Sequence, residues 1–480
     1  MVVKTFENPN KELSNFELIS KAALLHSVNH GFSNTFLNWA EKMHKTPGDN
    51  LTKDFCRMAF RMTAIKLYFG GVGEKETFQT GVKLLKKQDI GVIVDFCGAE
   101  GDKELSKESL AAVNKNYNSS LQICENLADA VKNTLKAKNR ISAAIKVSNF
   151  AEYEHLEKIS QELAKMRSEQ PDISIPDAIN NLSTESREVY GRYRSDVFDK
   201  LNKAKKKGFT AFIDAEQEAI NPAIELVAKD ALLNGLPLNY TLQTYLTNAH
   251  EKQEEWAKFA EQRVEVDRVQ TQIKDILGFK IVRGAYMDPD RDERRKYAKE
   301  HSEAEALIKF PIDKKFEKDE NIWPEKELTD KAYNKSFQDM FTIGYCQITL
   351  ATMNQKSLDL AEEHFTKNRY KNEKTEVDAA YLRGMRGNLR IPEKFRRSEY
   401  LPWVAKGGEL DAAAYSARRG TEQLTSMVEM SDGRIIKRGE MEMELVMDEM
   451  KRRKIPDLTR VFDHLNSYAA KAIEKSMQRA

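Results

Sequence analysis

The sequence predicts an α/β fold, a (βα)8 barrel of the TIM type, and two observations support this prediction. From about residue 86 onward, short apolar runs rich in β-branched residues alternate with long charged stretches of helical periodicity, which is typical of repeated strand–helix units on a parallel sheet. About eight such runs occur, and eight is the number of strands that closes a parallel barrel.

The predicted strands are the eight apolar runs. Two of them, at residues 92–94 and 211–213, end in Asp95 and Asp214. Parallel barrel strands are buried on both faces along their length, and polar residues follow at their carboxyl-terminal ends. We therefore expect these two acids to lie at the carboxyl-terminal rim of the barrel. The strands are predicted at residues 91–97, 142–148, 210–216, 238–243, 279–286, 347–352, 377–382 and 400–404.

The regions outside the repeat are predicted to be helices and loops. Residues 1–85 form a helical N-terminal segment, residues 86–426 the barrel, and residues 427–480 a C-terminal helical segment whose methionines pack between helices. Two excursions, at residues 168–195 and 309–330, carry proline and charge, so we expect surface loops or lids there.

Composition excludes several classes of partner. Lys and Arg number 77 against 75 Asp and Glu, a net charge of +2, so no whole-molecule field attracts nucleic acid. Four widely spaced cysteines without a CxxC pair indicate reduced thiols. Neither a membrane-spanning run nor a signal or transit peptide is recognisable, which fits a cytoplasmic protein or the mature form of an organellar one. The histidines are scattered and predict no metal site.

The candidate chemistry lies at the ends of the predicted strands, because the chain lacks GxSxG, HExxH, GxxxxGK[ST] and GxGxxG motifs. Lys146 ends an apolar strand, and a buried lysine is costly unless an anion partners it. Lys146 next to an acid such as Asp214 predicts a site that binds an anion. The alternative interpretation is a buried ion pair with a purely structural role. The polar strand-end residues are Asp95, Lys146, Asp214, Gln243, Arg283, Tyr286 and Tyr400.

Arg418 and Arg419 form a second cationic feature, inside a predicted helix after the eighth strand. Each guanidinium offers a planar fork that holds a carboxylate by two parallel hydrogen bonds. An exposed, solvated helix face is the alternative interpretation.

Five motifs then match a known pattern in order, and the match runs from about residue 67 to residue 423. They are IDAEQEAINPAI at 213–224, LQTYL at 242–246, KIVRGAYM at 280–287, YLP at 400–402 and YSARRGTEQ at 415–423. With these motifs the chain resembles the proline dehydrogenase family. The resemblance implies a flavoenzyme on a distorted (βα)8 barrel whose last helix lies over the pocket.

The resemblance also implies roles for individual residues. Glu100 and Arg418 would form a gate, and Asp214 would hold the lysine and tyrosine side of the pocket in place. The implied substrate-binding residues are Lys146, Asp214, Tyr286, Tyr400, Arg418 and Arg419, and the implied FAD-binding residues are Gln243, Lys280, Arg283, Met353 and Glu422.

The implied reaction is oxidation of L-proline to Δ1-pyrroline-5-carboxylate by hydride transfer to flavin N5, the first step of proline catabolism. Electrons would pass to a quinone, with peripheral membrane contact on the matrix side of the mitochondrial inner membrane. Tyr400 favours proline over hydroxyproline. The chain departs from the family at Met353, where a histidine is usual, and at Tyr381, where a glutamine is usual.

Two other functions fit the residues. A barrel enzyme acting on another small carboxylate would use the same cations for a different reaction. A non-catalytic interaction protein, such as a catalytically impaired paralogue, would fit the high charge and the altered cofactor positions.

Overall fold

Eight parallel strands close into a barrel in a computed structural model of the chain. The structure describes residues 8–29, 57–58, 61–97, 107–132, 140–284, 322, 326–385, 389–409, 427–429 and 435–479. The barrel strands are β1 (Gly91–Phe96), β2 (Ile141–Ile145), β3 (Thr210–Ile213), β4 (Leu238–Gln243), β5 (Leu277–Val282), β6 (Gln347–Ala351), β7 (Glu376–Leu382) and β8 (Arg396–Val404).

The strands follow one another around the barrel in chain order, and β8 pairs back to β1. The closing register runs from Ser398 opposite Gly91 to Trp403 opposite Phe96. All eight predicted strands are present, so the TIM-barrel prediction is confirmed. Parallel strands whose ends lie at one rim bring their following residues together there, which positions the candidate site.

The described helices surround the barrel and extend beyond it at both chain ends. None of them is long and apolar enough to cross a bilayer. They are α1 (Asn15–Asn29), α2 (Gly73–Lys83), α3 (Lys107–Val131), α4 (Tyr153–Glu169), α5 (Ile175–Asn181), α6 (Thr184–Lys207), α7 (Asn221–Leu233), α8 (Ala249–Ala260), α9 (Lys326–Ile343), α10 (Gln355–Asn368), α11 (Arg438–Arg452) and α12 (Thr459–Arg479).

Five shorter strands are also described. Gly71–Val72 pairs with the end of β8 at Trp403 and Val404. A hairpin of Arg263–Val266 and Val269–Gln272 precedes β5. Met427–Glu429 and Ile435–Lys437 form a second antiparallel pair before α11, so the C-terminal segment begins with strands rather than with the helix that its periodicity predicts.

The excursion predicted as a loop or lid at residues 168–195 is helical, and that prediction is wrong. It contains the end of α4, all of α5 and the first half of α6. Ser174 and Ser183 cap the two later helices through their side chains, and Tyr190 and Tyr193 are buried. Pro176 therefore marks a helix start, where a missing N–H costs nothing, and Pro171 lies in the turn between α4 and α5. Most of the second excursion lies outside the described residues.

Inside the barrel, polar and apolar layers alternate. An apolar layer is formed by Ile93, Ala144, Phe212 and Ala380, with Tyr400 packed against it. Below it, Asn239 Nδ2 donates to Gln347 Oε1 at 3.0 Å. A Cβ at Gly278 would lie 1.9 Å from Asn239 Oδ1, so only glycine fits at that position in β5.

The N-terminal helix α1 packs against both C-terminal helices, α11 and α12. Leu18 and Leu25 belong to the same buried cluster as Val446 of α11 and Leu401 of β8. Four methionines of α11 are buried or pack against this cluster (Met441, Met443, Met447 and Met450), which confirms their predicted packing role. The division into residues 1–85, 86–426 and 427–480 stays a prediction.

Candidate active site at the carboxyl-terminal mouth of the barrel

Lys146 lies at the mouth directly after β2, with its ammonium group almost fully buried. Its Nζ donates to both carboxylate oxygens of Asp95, at 3.0 and 3.3 Å. Asp95 stands on the neighbouring strand β1, so the ion pair bridges two strands. The acid that the structure places beside Lys146 is therefore Asp95, whereas Asp214 pairs with a different lysine.

That second lysine is Lys280, on β5 across the mouth. Its ammonium group pairs with Asp214 and lies 5.3 Å from the ring centre of Tyr400, whose hydroxyl accepts a hydrogen bond from it. Burial alone would lower the pKa of Lys280, but the attraction of Asp214 and Tyr400 raises it above its usual value. Lys280 is therefore a permanent cation.

Tyr400 on β8 is the aromatic side chain of this group. Burial raises its pKa to about 12, while the neighbouring ammonium of Lys280 opposes the shift and Asp214 adds to it. The phenol is thus neutral at physiological pH. Asp214 pairs with Lys280, which in turn donates to the hydroxyl of Tyr400.

Gln243 ends β4 and is held in one orientation. Its Oε1 accepts from Asn221 Nδ2 at 3.1 Å, and its Nε2 donates to the carbonyl of Glu216 at 3.2 Å. Asn221 also accepts from the backbone N–H of Glu216 at 3.0 Å. All three residues are buried, so the amide of Gln243 is pre-oriented at the rim.

Glu216 is a site residue that the sequence interpretation missed. Its carboxylate accepts from the backbone N–H of Ser148 at 3.1 Å and from the hydroxyl of the same serine. Burial raises its pKa above the usual value, although these hydrogen bonds oppose the shift. The residue connects the ends of β2 and β3. Its place in the IDAEQ motif, two residues after Asp214, was the available signal.

Arg283 extends beyond the end of β5 and makes three contacts that fix its guanidinium. Its Nε donates to Asp330 Oδ1 at 2.6 Å, one Nη donates to Thr352 Oγ1 at 2.7 Å, and the other donates to Ser357 Oγ at 2.9 Å. The guanidinium also stacks 4.4 Å above the ring of Tyr333. These contacts tie β5 to the end of β6, where Met353 follows Thr352.

The remaining predicted site residues have different outcomes. Met353 is buried beside Arg283's contacts at the end of β6, and Tyr381 is buried in the core on β7. Five predicted residues lie outside the described part of the chain (Glu100, Tyr286, Arg418, Arg419 and Glu422), so their roles stay predictions. In the described ranges, no cluster of three or more His, Cys, Asp or Glu side chains could hold a metal ion.

The described mouth therefore combines two buried ion pairs, a neutral phenol and a fixed amide at the carboxyl-terminal ends of parallel strands. This is the position at which (βα)8-barrel proteins gather their functional groups. Lys280 and Arg283 provide cations and hydrogen-bond donors, and Lys146 provides a third cation. The fold and the site define a (βα)8-barrel protein with a group of charged side chains at its mouth.

Comparison with known proteins narrows this class. Residues 78–304, from α2 through β5, match the family model described as proline dehydrogenase. This region of the chain is thus similar to the proline dehydrogenase family. None of the curated protein sequences matches it.

Solved structures of proline utilization A proteins share the fold. That from Bdellovibrio bacteriovorus, inactivated by N-propargylglycine, has a TM-score of 0.59 and 15% identity, covering 83% of this chain and 37% of that chain. A variant of the Bradyrhizobium japonicum protein has a TM-score of 0.51 and 15% identity, covering 84% of this chain and 42% of that chain. This chain thus spans less than half the length of those proteins.

Proposed function

We propose that this protein oxidises L-proline to Δ1-pyrroline-5-carboxylate, as the first step of proline catabolism. One observation supports it above the others: the charged residues at the mouth lie on the strands of the family-matched region. Lys146, Asp214 and Lys280 fall within residues 78–304, and the side chains of all three lie at one end of the barrel.

FAD is the proposed electron acceptor, and the donor set at the mouth fits it. A flavin ring presents carbonyl oxygens and ring nitrogens as acceptors, and the diphosphate is anionic. Gln243, Lys280 and Arg283 offer an amide, an ammonium and a guanidinium on adjacent strands β4 and β5, and cations with planar forks suit phosphate. When bound, the flavin would take the hydride from the substrate carbon next to nitrogen.

The protein's own part in the reaction is binding and orientation. Lys146 would bind the substrate carboxylate, and its fixed position on β2 would hold the substrate in one orientation. Tyr400 would pack against the substrate ring, and its hydrogen bond with Lys280 would keep the ring plane constant. Arg418 and Arg419, outside the described residues, are proposed as further carboxylate ligands.

The later fate of the electrons is proposed from the family resemblance alone. We infer transfer to a quinone, peripheral contact with a membrane and residence on the matrix side of the mitochondrial inner membrane. Reduction of a soluble quinone analogue by the proline-reduced protein, with and without phospholipid vesicles, tests the acceptor and the membrane contact together.

The function is tested by flavin content and by substrate reduction. The purified protein should absorb in the flavin bands, and L-proline should bleach these bands anaerobically while D-proline leaves them unchanged. Lys146→Met should raise the L-proline concentration needed for half-maximal bleaching at least about tenfold, since a charge-assisted hydrogen bond is lost. Exposed Lys451→Met is the matched control. A full response in both Lys146→Met and Arg418→Ala contradicts the substrate assignment.

A further inference from the structure

Arg438, the first residue of α11, is a buried cation whose hydrogen bonding is incomplete. Only 3% of its surface is exposed. One Nη donates to the carbonyl oxygen of Met353 at 2.9 Å, while Nε and the other Nη have no hydrogen-bond partner among the described residues. Buried guanidinium groups are normally paired with an anion, because desolvation of a lone cation is costly.

The guanidinium lies against the end of β6, close to a second arginine. Met353 accepts the bond from Arg438, and the preceding residue, Thr352, accepts one from Arg283 at 2.7 Å. Burial lowers the pKa of Arg438 to about 10, with attraction from Glu442 opposing this and repulsion from Arg283 adding to it. Arg438 is therefore charged at neutral pH, and its guanidinium and that of Arg283 face the same turn.

Each of the two neighbouring carboxylates pairs with another cation through one oxygen, and the second oxygen of Glu442 has no hydrogen-bond partner among the described residues. Glu442 Oε2 lies 3.0 Å from Lys21 Nζ, in a pair that is buried on both sides. Asp330 Oδ1 lies 2.6 Å from Arg283 Nε. Three cations thus face two carboxylates in this described neighbourhood, so positive charge is in excess beside Arg438.

The start of α11 adds to this positive charge. The helix has 15 residues, and its N-cap residue, Lys437, makes no side-chain hydrogen bond to the first turn. The first N–H groups of a helix point out of its end and carry about half a positive charge. An uncapped helix start next to an incompletely bonded guanidinium is a suitable site for a phosphate group.

We propose that Arg438 and the first turn of α11 bind the diphosphate of a dinucleotide cofactor. The proposal rests on the proposed flavin-dependent function and adds a cofactor contact outside the family-matched residues 78–304. A diphosphate carries negative charge and several acceptor oxygens. These oxygens would accept hydrogen bonds from the Nε and Nη of Arg438 that have no partner among the described residues and from the first N–H groups of α11. The hydrogen bond to the carbonyl of Met353 fixes the guanidinium, so its remaining N–H groups are oriented before the ligand binds.

The test measures ligand affinity in the full-length chain freed of flavin. FAD and riboflavin share the flavin ring, but only FAD carries the diphosphate. Arg438→Gln should weaken FAD binding by about tenfold or more and leave riboflavin binding unchanged. Arg438→Lys, which keeps the charge but loses the planar fork, should lie in between. Arg460→Gln, at an exposed position on α12, should change neither affinity.

Thermal unfolding of the flavin-free proteins separates this role from a structural one. If Arg438 serves an anionic ligand, Arg438→Gln removes an incompletely paired buried cation, so the unfolding temperature without ligand should not fall. A large fall in that temperature, with the ratio of FAD to riboflavin affinity unchanged, would overturn the proposal and assign Arg438 a purely structural role.

Failure of the two proposals can be told apart. Equal FAD binding by wild type and Arg438→Gln overturns the Arg438 site and leaves the proposed function intact. If the wild type binds inorganic pyrophosphate in an Arg438-dependent way but does not bind FAD, the diphosphate site stands and the flavin-dependent function fails. A wild type that binds neither overturns both.

Discussion

At the scale of single residues, Lys146 shows how side-chain contacts across the barrel determine which of two neighbouring carboxylates a lysine pairs with. The residue follows β2 and stands between β1 and β3, which present Asp95 and Asp214. Lys280 reaches from β5 and pairs with Asp214. Lys146 pairs with the acid on its other neighbouring strand, which is Asp95 on β1. The sequence shows which polar residues end strands, but the choice of partner depends on side chains that reach across the closed barrel.

Asp95→Asn should destabilise the ligand-free protein by about 3 kcal/mol, because the buried ammonium of Lys146 loses a carboxylate at 3.0 Å. Urea unfolding measures the change. Asp89→Asn is the matched control: Asp89 pairs with Arg140 but is 71% exposed, so less than about 1 kcal/mol is expected. The double variant Asp95→Asn/Lys146→Met should recover most of the loss. If the double variant is no more stable than Asp95→Asn, the pairing is not the cause.

A buried acid at the opposite end of the barrel makes stability depend on pH. Asp378 on β7 accepts a hydrogen bond from Gln347, and burial raises its pKa from 3.8 to about 6, against the lowering effects of that hydrogen bond and of Arg140. Between these values the unfolded chain is ionised at this position while the folded protein keeps the proton. This carboxyl therefore stabilises the fold less as pH rises from about 4 to about 6, and its effect is constant above that range.

The variant Asp378→Asn, which mimics the protonated acid, isolates this effect. Its free energy of unfolding should equal that of wild type near pH 4 and exceed it by about 3 kcal/mol above pH 6. Urea titrations at intervals of half a pH unit give the difference curve. A difference that does not change with pH, or that grows as pH falls, contradicts the assignment.

At the scale of elements, a buried lysine joins α1 to α11 and to the barrel. Lys21 Nζ donates to Glu442 Oε2 and Asn10 Oδ1, both at 3.0 Å, and to the carbonyl of Gly384 at 2.9 Å. Gly384 belongs to the turn after β7. One side chain therefore connects the N-terminal helix, a C-terminal helix and the rim of the barrel.

Lys21→Met should destabilise the protein by about 3 kcal/mol, because it leaves the Glu442 carboxylate buried without its cation. Lys66→Met is the control, since Lys66 is 54% exposed and lies 3.5 Å from Glu17; its loss should cost less than about 1 kcal/mol. Hydrogen exchange in α1 measures both. Equal effects of the two substitutions would show that the buried pair adds nothing to helix docking.

Elements with a strong local pattern were predictable, and those that depend on partners were not. The continuous apolar runs of β1 and β3 indicate strands because both of their faces are buried. The start of β5 at Leu277 was placed two residues late, since Gly278 has low strand propensity and is required there by Asn239. The helix α6 was missed in part because its charged residues and the preceding prolines resemble a loop.

At the scale of the whole molecule, the eightfold alternation was sufficient to predict the barrel, because few topologies bury eight parallel strands on both faces. The contacts between the chain ends were not predictable, because the periodicity of α1 and α11 shows that each has an apolar face but not which other element that face packs against. His26 Nε2 lies 2.7 Å from Asp463 Oδ1, and Ser27 Oγ donates to Asn466 at 2.7 Å. These contacts join residues more than 400 positions apart.

This joining of the chain ends predicts how the molecule unfolds. Leu18 and Leu25 of α1 share one continuous buried cluster with Leu401 of β8 and Val446 of α11, so α1 cannot leave without exposing apolar surface that also covers the barrel. Native-state hydrogen exchange in increasing urea should therefore show peptides from α1, β8 and α11 losing protection at the same denaturant concentration.

The alternative is that residues 1–85 and 427–480 form a unit that opens before residues 86–426. Peptides from α1 and α11 would then lose protection together at lower urea than those from β1 and β8, because the interface between unit and barrel would contribute less than each interior. The matched comparison is between α1 and α10, which both pack on their neighbours through buried leucine and alanine residues. If α1 and α10 lose protection at the same urea concentration, the core unfolds as a single cooperative unit. If α1 and α11 open at lower urea, the buried cluster is one set of contacts that unfolds in two separate steps.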